Sequence, residues 1–429
     1  MRRIGEVVDA TTAFMGAVVA GVTLFLPVSV TTQSRTAPYR IAGLLNSVPR
    51  SAALAVIVAV TVAVLVSTTA RPLTGWATAT AGALGQLINH FAGRQVSTAE
   101  MLTTQNYIDS VCGAVLLGGL GAVVLRRSLP AGGFALGGIG FFAFGDLAEL
   151  LDIETDPYAV LETPPRWMIG LALALLVVST LRNWSHTEEP KTPRMAIALP
   201  VTPILAAMVL ALVVLAGTEW LGRQYSKLPG ESHAVEIGIV VAATIVSATA
   251  AAMLLPGRDG TGVYLAVSLT AAVDAVGYAV RPGWSAVLLI PLAAAGITLG
   301  ARLSSAAIAV LLVAGIAIFA MVTSTTANRV GFAAISAVIA LTAGYCCGTA
   351  RPRYPPSGVL AISALYLPSA VSVMPDRLDD VTVHDATPGR TALAIVIGSA
   401  IGLVVLRKFR PRSKPRPKGQ PESESLADI

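Results

Sequence analysis

Apolar residues along the chain gather in blocks of roughly 18 to 22, a length that crosses a ~30 Å hydrocarbon core as helix at ~1.5 Å per residue. Short polar stretches separate the blocks. The pattern predicts spans at 9–30, 51–68, 74–92, 107–125, 130–150, 167–181, 195–217, 236–255, 261–280, 282–300, 303–323, 329–347, 357–373 and 391–406. Two of the fourteen depart from plain apolar character. The third contains Gln86, Asn89 and His90, and the fifth is rich in glycine and ends in Asp146 and Glu149. Polar residues at membrane depth are tolerated where protein or a water cavity covers them. Both segments are therefore read as re-entrant or amphipathic pieces or as spans, giving 12–14 transmembrane helices. The fold class expected is all-α, a polytopic integral membrane helix bundle with both termini cytoplasmic. The bundle fills residues 1–406.

Composition agrees with this reading and narrows it. Of the 429 residues 54% are hydrophobic and only 13% are Asp, Glu, Lys or Arg, where a soluble domain carries about 25% charged residues. The mean hydropathy is +0.72. An ordinary soluble enzyme needs more charged surface than this. The first apolar stretch, from Phe14 to Val30, is longer than a signal-peptide core, and no A-x-A-like cleavage site follows it, so it is read as a retained span. Three cysteines exclude a disulfide scaffold or a cysteine-rich metal centre, and the four histidines lack ligand spacing. No H-E-x-x-H, P-loop or G-x-S-x-G pattern occurs. No cofactor and no metal are expected.

Charge sets the expected orientation. With both termini inside, 19 of the 30 Lys and Arg residues fall on the cytoplasmic side, seven of them in the tail from Arg407 to Lys418. The loops alone barely decide, but the inner turns are short and basic. The longer connections 31–50, 93–106, 151–166, 218–235 and 374–390 fall outside and collect acids such as Asp152, Glu154, Asp376 and Asp380. Tryptophans 76, 167, 184, 220 and 284 stand at span ends, as an interfacial belt requires. Residues 407–429 alternate basic residues with prolines and are expected to form a disordered cytoplasmic tail, facing anionic lipid headgroups rather than nucleic acid.

An ionisable side chain at mid-depth costs roughly 2.5–3.5 kcal/mol on insertion scales, so each one needs a reason. Asp274 is the deepest, some six residues from the outer end of the ninth span. It is a candidate proton carrier, with Tyr278 at i+4 on the same face and Arg281 at i+7 as structural partners. Asp146 and Glu149, three apart, make a second candidate, either sharing a proton or facing outer water. Gln86, Asn89 and His90 share one side of the third span and are read as a pathway lining or as the polar edge of an interfacial helix. Glycines suggest close packing: Gly133-x-x-x-Gly137 with Gly113, Gly118, Gly119 and Gly121 predicts a tight hairpin of spans four and five. Gly296-x-x-x-Gly300 marks the tenth. Pro200, Pro203 and Pro291 are expected to kink their spans.

Two tests separate function classes. Polytopic lipid-dependent glycosyltransferases need acids in the first outer loop, and residues 31–50 contain none. The second inner turn, Ser67–Gly75, lacks the acidic residue of the major-facilitator signature; Gly257-Arg-Asp-Gly260 stands at the analogous place in a second half but is short. No ATPase domain is encoded. The expectation is a non-enzymatic secondary transporter or exporter of a bacterial plasma membrane, the alternative being a non-catalytic subunit of an envelope-assembly or secretion complex that packs against other membrane subunits.

Overall fold

The computed structural model describes residues 2–24, 38–69, 71–92, 99–144, 164–184, 201–227, 233–277, 283–323, 329–374 and 386–410. Among them are fourteen α-helices and no strand. In chain order these are α1 (Arg2–Leu24), α2 (Pro38–Thr68), α3 (Pro72–Ala92), α4 (Ala99–Val124), α5 (Ser128–Phe144), α6 (Arg166–Arg182) and α7 (Val201–Lys227). They continue with α8 (Ala234–Leu254), α9 (Thr261–Val276), α10 (Gly283–Arg302), α11 (Ala306–Val322), α12 (Arg329–Ala350), α13 (Pro355–Ser363) and α14 (Thr387–Phe409). Each corresponds to one expected span. Among the described residues seven helices are long and apolar enough to cross a membrane, and three shorter apolar helices accompany them. The protein is a multi-spanning helical membrane protein. Its outward surface carries large apolar side chains in numbers that only lipid would cover, including Leu311, Val246, Val287 and Ile401, all more than 60% exposed.

Several boundaries differ from the pattern. Helix α2 begins at Pro38 and runs through Pro49, so much of the expected 31–50 loop is helical. Helix α7 continues to Lys227, ten residues past its expected end, and its Pro203 lies in the first turn, where proline does not kink a helix. Pro200 lies outside the described residues. Helix α14 carries Arg407 and Lys408 in its last turn, so the first tail residues are helical; residues 411–429 lie outside the described residues. The largest difference is at the thirteenth span. Instead of one helix over 357–373, α13 has nine residues, a single 3₁₀ turn follows at Ala364–Tyr366, and the chain then leaves helical geometry. Pro368 explains the break. It supplies no N–H and pushes Leu367 into extended backbone, at φ −72° and ψ 142°.

The helices pack as a repeat. In the first six, α1 contacts α4, α5 and α6, α4 contacts α2 and α3, and α3 contacts α6. In the last six, α9 contacts α12, α13 and α14, α12 contacts α10 and α11, and α11 contacts α14. Position for position these contacts correspond, and the second repeat adds one between α9 and α11 that α1 and α3 do not match. The contacts between the two groups are reciprocal too: α2 meets α13 as α10 meets α5, and α4 meets α13 as α12 meets α5. Two six-helix repeats therefore face each other about a pseudo-twofold relation. Helices α7 and α8 pair with each other between them, joined to the first repeat through α2 and to the second through α14.

Small residues make these contacts possible. Gly296 and Gly300 of α10 lie against backbone of Leu341 and Tyr345, while Gly344 and Gly348 of α12 lie against backbone of Ala293 and Ile297. A Cβ at any of the four would enter the facing main chain. Lipid offers no hydrophobic drive between helices, so this backbone approach and its van der Waals contacts hold the pair. The expected hairpin of spans four and five is corrected here. Gly133 and Gly137 of α5 pack on Ala10 and Phe14 of α1. Gly118 of α4 packs on Ala59 of α2, and Gly119 packs on Gly75 and Ala79 of α3. Gly121 faces Val359 of α13 first and Phe134 of α5 beyond it. The tryptophan belt also loses a member, since Trp76 is 1% exposed and fills the interior at α3. Trp167 and Trp184 are exposed as expected, and the side chain of Trp284 lies outside the described residues.

Candidate functional site

Three polar features stand inside the bundle. The first lies between α3 and α4. Helical spacing puts Gln86 and His90 on one face of α3, and that face turns inward: Gln86 is 0% and His90 6% exposed. The interfacial reading of this helix is thereby corrected, because the polar face points at protein. Gln86 Nε2 donates to Thr23 Oγ1 of α1 at 2.8 Å. His90 Nε2 lies 3.3 Å from Oδ2 of Asp109 on α4. One turn before it, Asn106 Nδ2 donates to Ser47 Oγ at 3.0 Å and Ser51 Oγ at 3.2 Å, both on α2. Asn89 stands apart from the cluster, donating to the Gln105 carbonyl at 3.1 Å. The cluster thus joins all of the first four helices. Asp109 was not singled out by sequence; it stands two residues inside the apolar block expected at 107–125 and reads there as an end residue.

The second feature is at the broken helix. Asp274 of α9 accepts from Ser369 Oγ at 2.6 Å, and Ser369 Oγ also accepts from the Val371 N–H at 3.1 Å. One turn earlier, Thr270 Oγ1 approaches the Leu365 carbonyl at 3.5 Å. Helix α9 ends two residues after Asp274, at Val276, and Gly277 takes φ 74° in the left-handed region that favours glycine. The partner described for Asp274 is thus Ser369, on a distant part of the chain. Tyr278, Asp146 and Glu149 lie outside the described residues, and Arg281 does too. The sequence places Asp274 and Ser369 95 positions apart, and only the fold brings them together.

The third feature is a charged face at one end. Asp9 of α1, 1% exposed, meets Arg127 Nη1 at 3.2 Å and Arg182 Nη2 at 2.5 Å. Asn183 Nδ2 approaches it at 3.4 Å. On the same face Asp259 accepts from the backbone N–H groups of Arg353 and Tyr354 at 3.0 and 2.9 Å, just ahead of α13. Burial pushes the Asp259 carboxyl above the usual carboxylate range, and those two donors hold it partly back. Arg410, past α14, caps the carbonyls of Leu255, Gly257 and Met253. At the opposite face Arg50 of α2 pairs with Glu219 of α7 at 2.6 Å.

A cavity of about 230 Å³ opens near the basic face, between α5 of the first repeat and α9, α10, α12 and α13 of the second. Its walls are mostly small and apolar, with Cys346 and Cys347 within and Arg351 at the basic end. Beside it the repeats touch directly: Tyr366 donates through its hydroxyl to the Gly138 carbonyl at 2.7 Å, and a Cβ at Gly138 would meet Ile362. Among the described residues no group of three or more His, Cys, Asp or Glu is gathered to hold a metal.

No protein family matches the chain, and no curated protein matches it. Among solved structures it is similar to that of the human organic anion transporter MFSD10 (TETRAN), at 13% identity, over 94% of this chain and 99% of that chain, with a TM-score of 0.43.

Proposed function

We propose that the protein is a membrane carrier that moves a solute by alternating access, the two six-helix repeats rocking against each other. The observation that carries this reading is the repeated contact pattern, α1–α6 against α9–α14, with reciprocal contacts across the interface. Two like halves related by a pseudo-twofold can exchange arrangements at little cost, which is the usual basis of alternating access. The cavity lies on that interface. A discontinuous helix borders it, and such breaks free carbonyls for solutes and ions. Asp274, held by Ser369 beyond the break, is the group proposed to couple transport to an ion. The basic face, with Asp9, Asp259 and the end of α14, is assigned to the cytoplasm of a bacterial cell, where the positive-inside rule places it.

The test does not need the solute. In a protein with Cys112, Cys346 and Cys347 replaced, spin labels go at Arg126→Cys and Ser304→Cys on the basic face, and at Trp167→Cys and Arg390→Cys on the other. Distances between the pairs are measured in lipid nanodiscs between pH 5.5 and 8. A carrier gives two populations on each face that change in opposite senses. One fixed distance on both faces at every pH assigns the protein to the alternative, a static subunit of an envelope complex.

A further inference from the structure

The cluster at α3 and α4 contains a geometry that hydrogen bonding among its own members does not resolve. His90 Nε2 stands 3.3 Å from Asp109 Oδ2 but makes no hydrogen bond there. Three more buried atoms close by also lack partners: Gln86 Oε1, Asp109 Oδ1 and Ser110 Oγ. Buried polar atoms are nearly always satisfied, and leaving one unmet is costly in apolar surroundings. Four in one cluster point to something the cluster takes up. The atoms say what. A neutral imidazole offers Nε2 either as a lone pair or as an N–H; a carboxylate offers only lone pairs. A lone pair on Nε2 facing a carboxylate lone pair repels. One added proton makes the imidazole a cation, and the two groups then form an ion pair at that separation.

We propose that His90 and Asp109 form a proton-binding site. The proton adds to Nε2 of neutral His90, no bond breaks, and the imidazolium is held by the Asp109 carboxylate. The remaining unmet oxygens of Gln86, Asp109 and Ser110 suit water on the route. The His90 side chain is 2% exposed and that of Asp109 16%, so access is through the Asp109 side. Both residues lie toward the end of the bundle away from the basic face, His90 two residues before the end of α3. The helices packed around the pair bring little competing charge. On α4 Cys112, one turn from Asp109, lies within reach of its charge. On α6 the Arg166 guanidinium sits 5.5 Å from the Phe91 ring. Tyr107 is turned toward Arg50, itself paired with Glu219. Helices α1 and α2 supply the hydroxyls of Thr23, Ser47 and Ser51. A metal ion fits less well, because the pair brings only one carboxylate and one imidazole.

The site stands apart from the carrier reading, since a proton can bind here whether or not the repeats move. Four histidines in the chain make it directly readable by ¹⁵N-histidine NMR of the full-length protein in nanodiscs. One imidazole, identified by its loss in His90→Gln, is expected to take up a proton between pH 5 and 9. In Asp109→Asn its proton affinity falls at least tenfold; in Asp109→Glu, which keeps the charge, it stays near wild type; in Asp274→Asn it does not move. Thermal unfolding of each variant confirms that it is folded, and the wild-type titration is informative by itself. A His90 imidazole neutral throughout, or one indifferent to both Asp109 variants, overturns the proposal. So does a shift driven by added Na⁺ at constant pH, which makes the site one for sodium. The spin-label distances report separately on the carrier.

Discussion

Asp9 and Asp259 occupy matching places in the two repeats. Asp9 lies near the start of α1, the first helix of its repeat, and holds Arg127 beyond α4 and Arg182 at the end of α6. Asp259 stands two residues ahead of α9, the first helix of the second repeat, and holds the backbone beyond α12, while Arg410 beyond α14 binds the same turn. One carboxylate thus ties the first helix to the link between the fourth and fifth, and an arginine at the sixth closes the group. The partners differ in kind. Asp9 neutralises two guanidinium groups, whereas Asp259 satisfies two peptide N–H groups.

That difference predicts different responses to the same change. Asp9→Asn leaves two arginines without their buried counter-charge. Removing one partner of a fully buried pair costs ~3–5 kcal/mol. Both arginine side chains here are 31% exposed, so water recovers part of the loss and about 2 kcal/mol is expected. Asp259→Asn keeps one of the two acceptor oxygens and turns an NH2 group toward the other peptide N–H, and should cost about 1–2 kcal/mol. Asp259→Ala leaves two part-buried N–H groups without their acceptors, where water recovers some of the loss, and should cost about 1–2 kcal/mol. Thermal unfolding in a mild detergent ranks the three.

Asp259 also makes a prediction in pH. Burial raises its carboxyl above the ordinary value of 3.8, so the folded protein holds that proton more tightly than the unfolded chain does. Its contribution to stability is full below the ordinary value and declines as pH rises through the raised one. Relative to Asp259→Asn, which does not titrate, the wild type should lose stability from about pH 4 upward. Unfolding temperatures of both proteins, taken in steps from pH 3.5 to 7, check the sign. A difference that grows in the other direction would show that the two peptide donors outweigh burial.

The glycine contacts are equally specific. Gly344→Val places branched carbons against the Ala293 backbone, and Gly296→Val does the same at Leu341. Each should prevent α10 and α12 from closing, with loss of monodisperse protein on size exclusion. Gly315 of α11 has no atom within 4 Å of the position a Cβ takes. Gly315→Ala should be neutral or stabilise by about 0.5–1 kcal/mol, the helix-interior cost of glycine.

These residues also mark how far the sequence could be read. The fourteen apolar blocks were legible because length and hydropathy suffice to define a span. Asp9 and Asp109 were not, because a carboxylate near the edge of an apolar block looks like a helix end facing water. Helix α1 starts at Arg2 and α4 at Ala99, so both carboxylates lie one to three turns inside. Gln86 and His90 were visible as a shared face; which neighbour that face met was not. Glycine spacing announced close packing without naming the partner, and α5 paired with α1 instead of α4. The repeat left no trace that apolar residues could carry, since alanine, valine and leucine interchange freely against lipid while the packing order persists. Pro368 was in plain view, but a proline within an apolar block reads as a kink until the fold shows that the chain stops being helical there.

The break leads to the last prediction. Asp274 and Ser369 tie the end of α9 to the non-helical segment beyond α13, so any motion of one repeat's first helix is felt at its fifth. If Asp274 couples that motion to a proton, charge is what matters and the hydrogen bond to Ser369 only positions it. Asp274→Asn still offers Ser369 an amide oxygen, so the contact survives while titration is lost. Ser369→Ala does the reverse. With labels at Trp167→Cys and Arg390→Cys, Asp274→Asn is expected to give one distance distribution at every pH between 5.5 and 8. Ser369→Ala is expected to keep both populations and their exchange with pH, since the carboxylate that titrates is still present. A pH response retained in Asp274→Asn would move the coupling role elsewhere, and the His90–Asp109 pair would be the next to substitute.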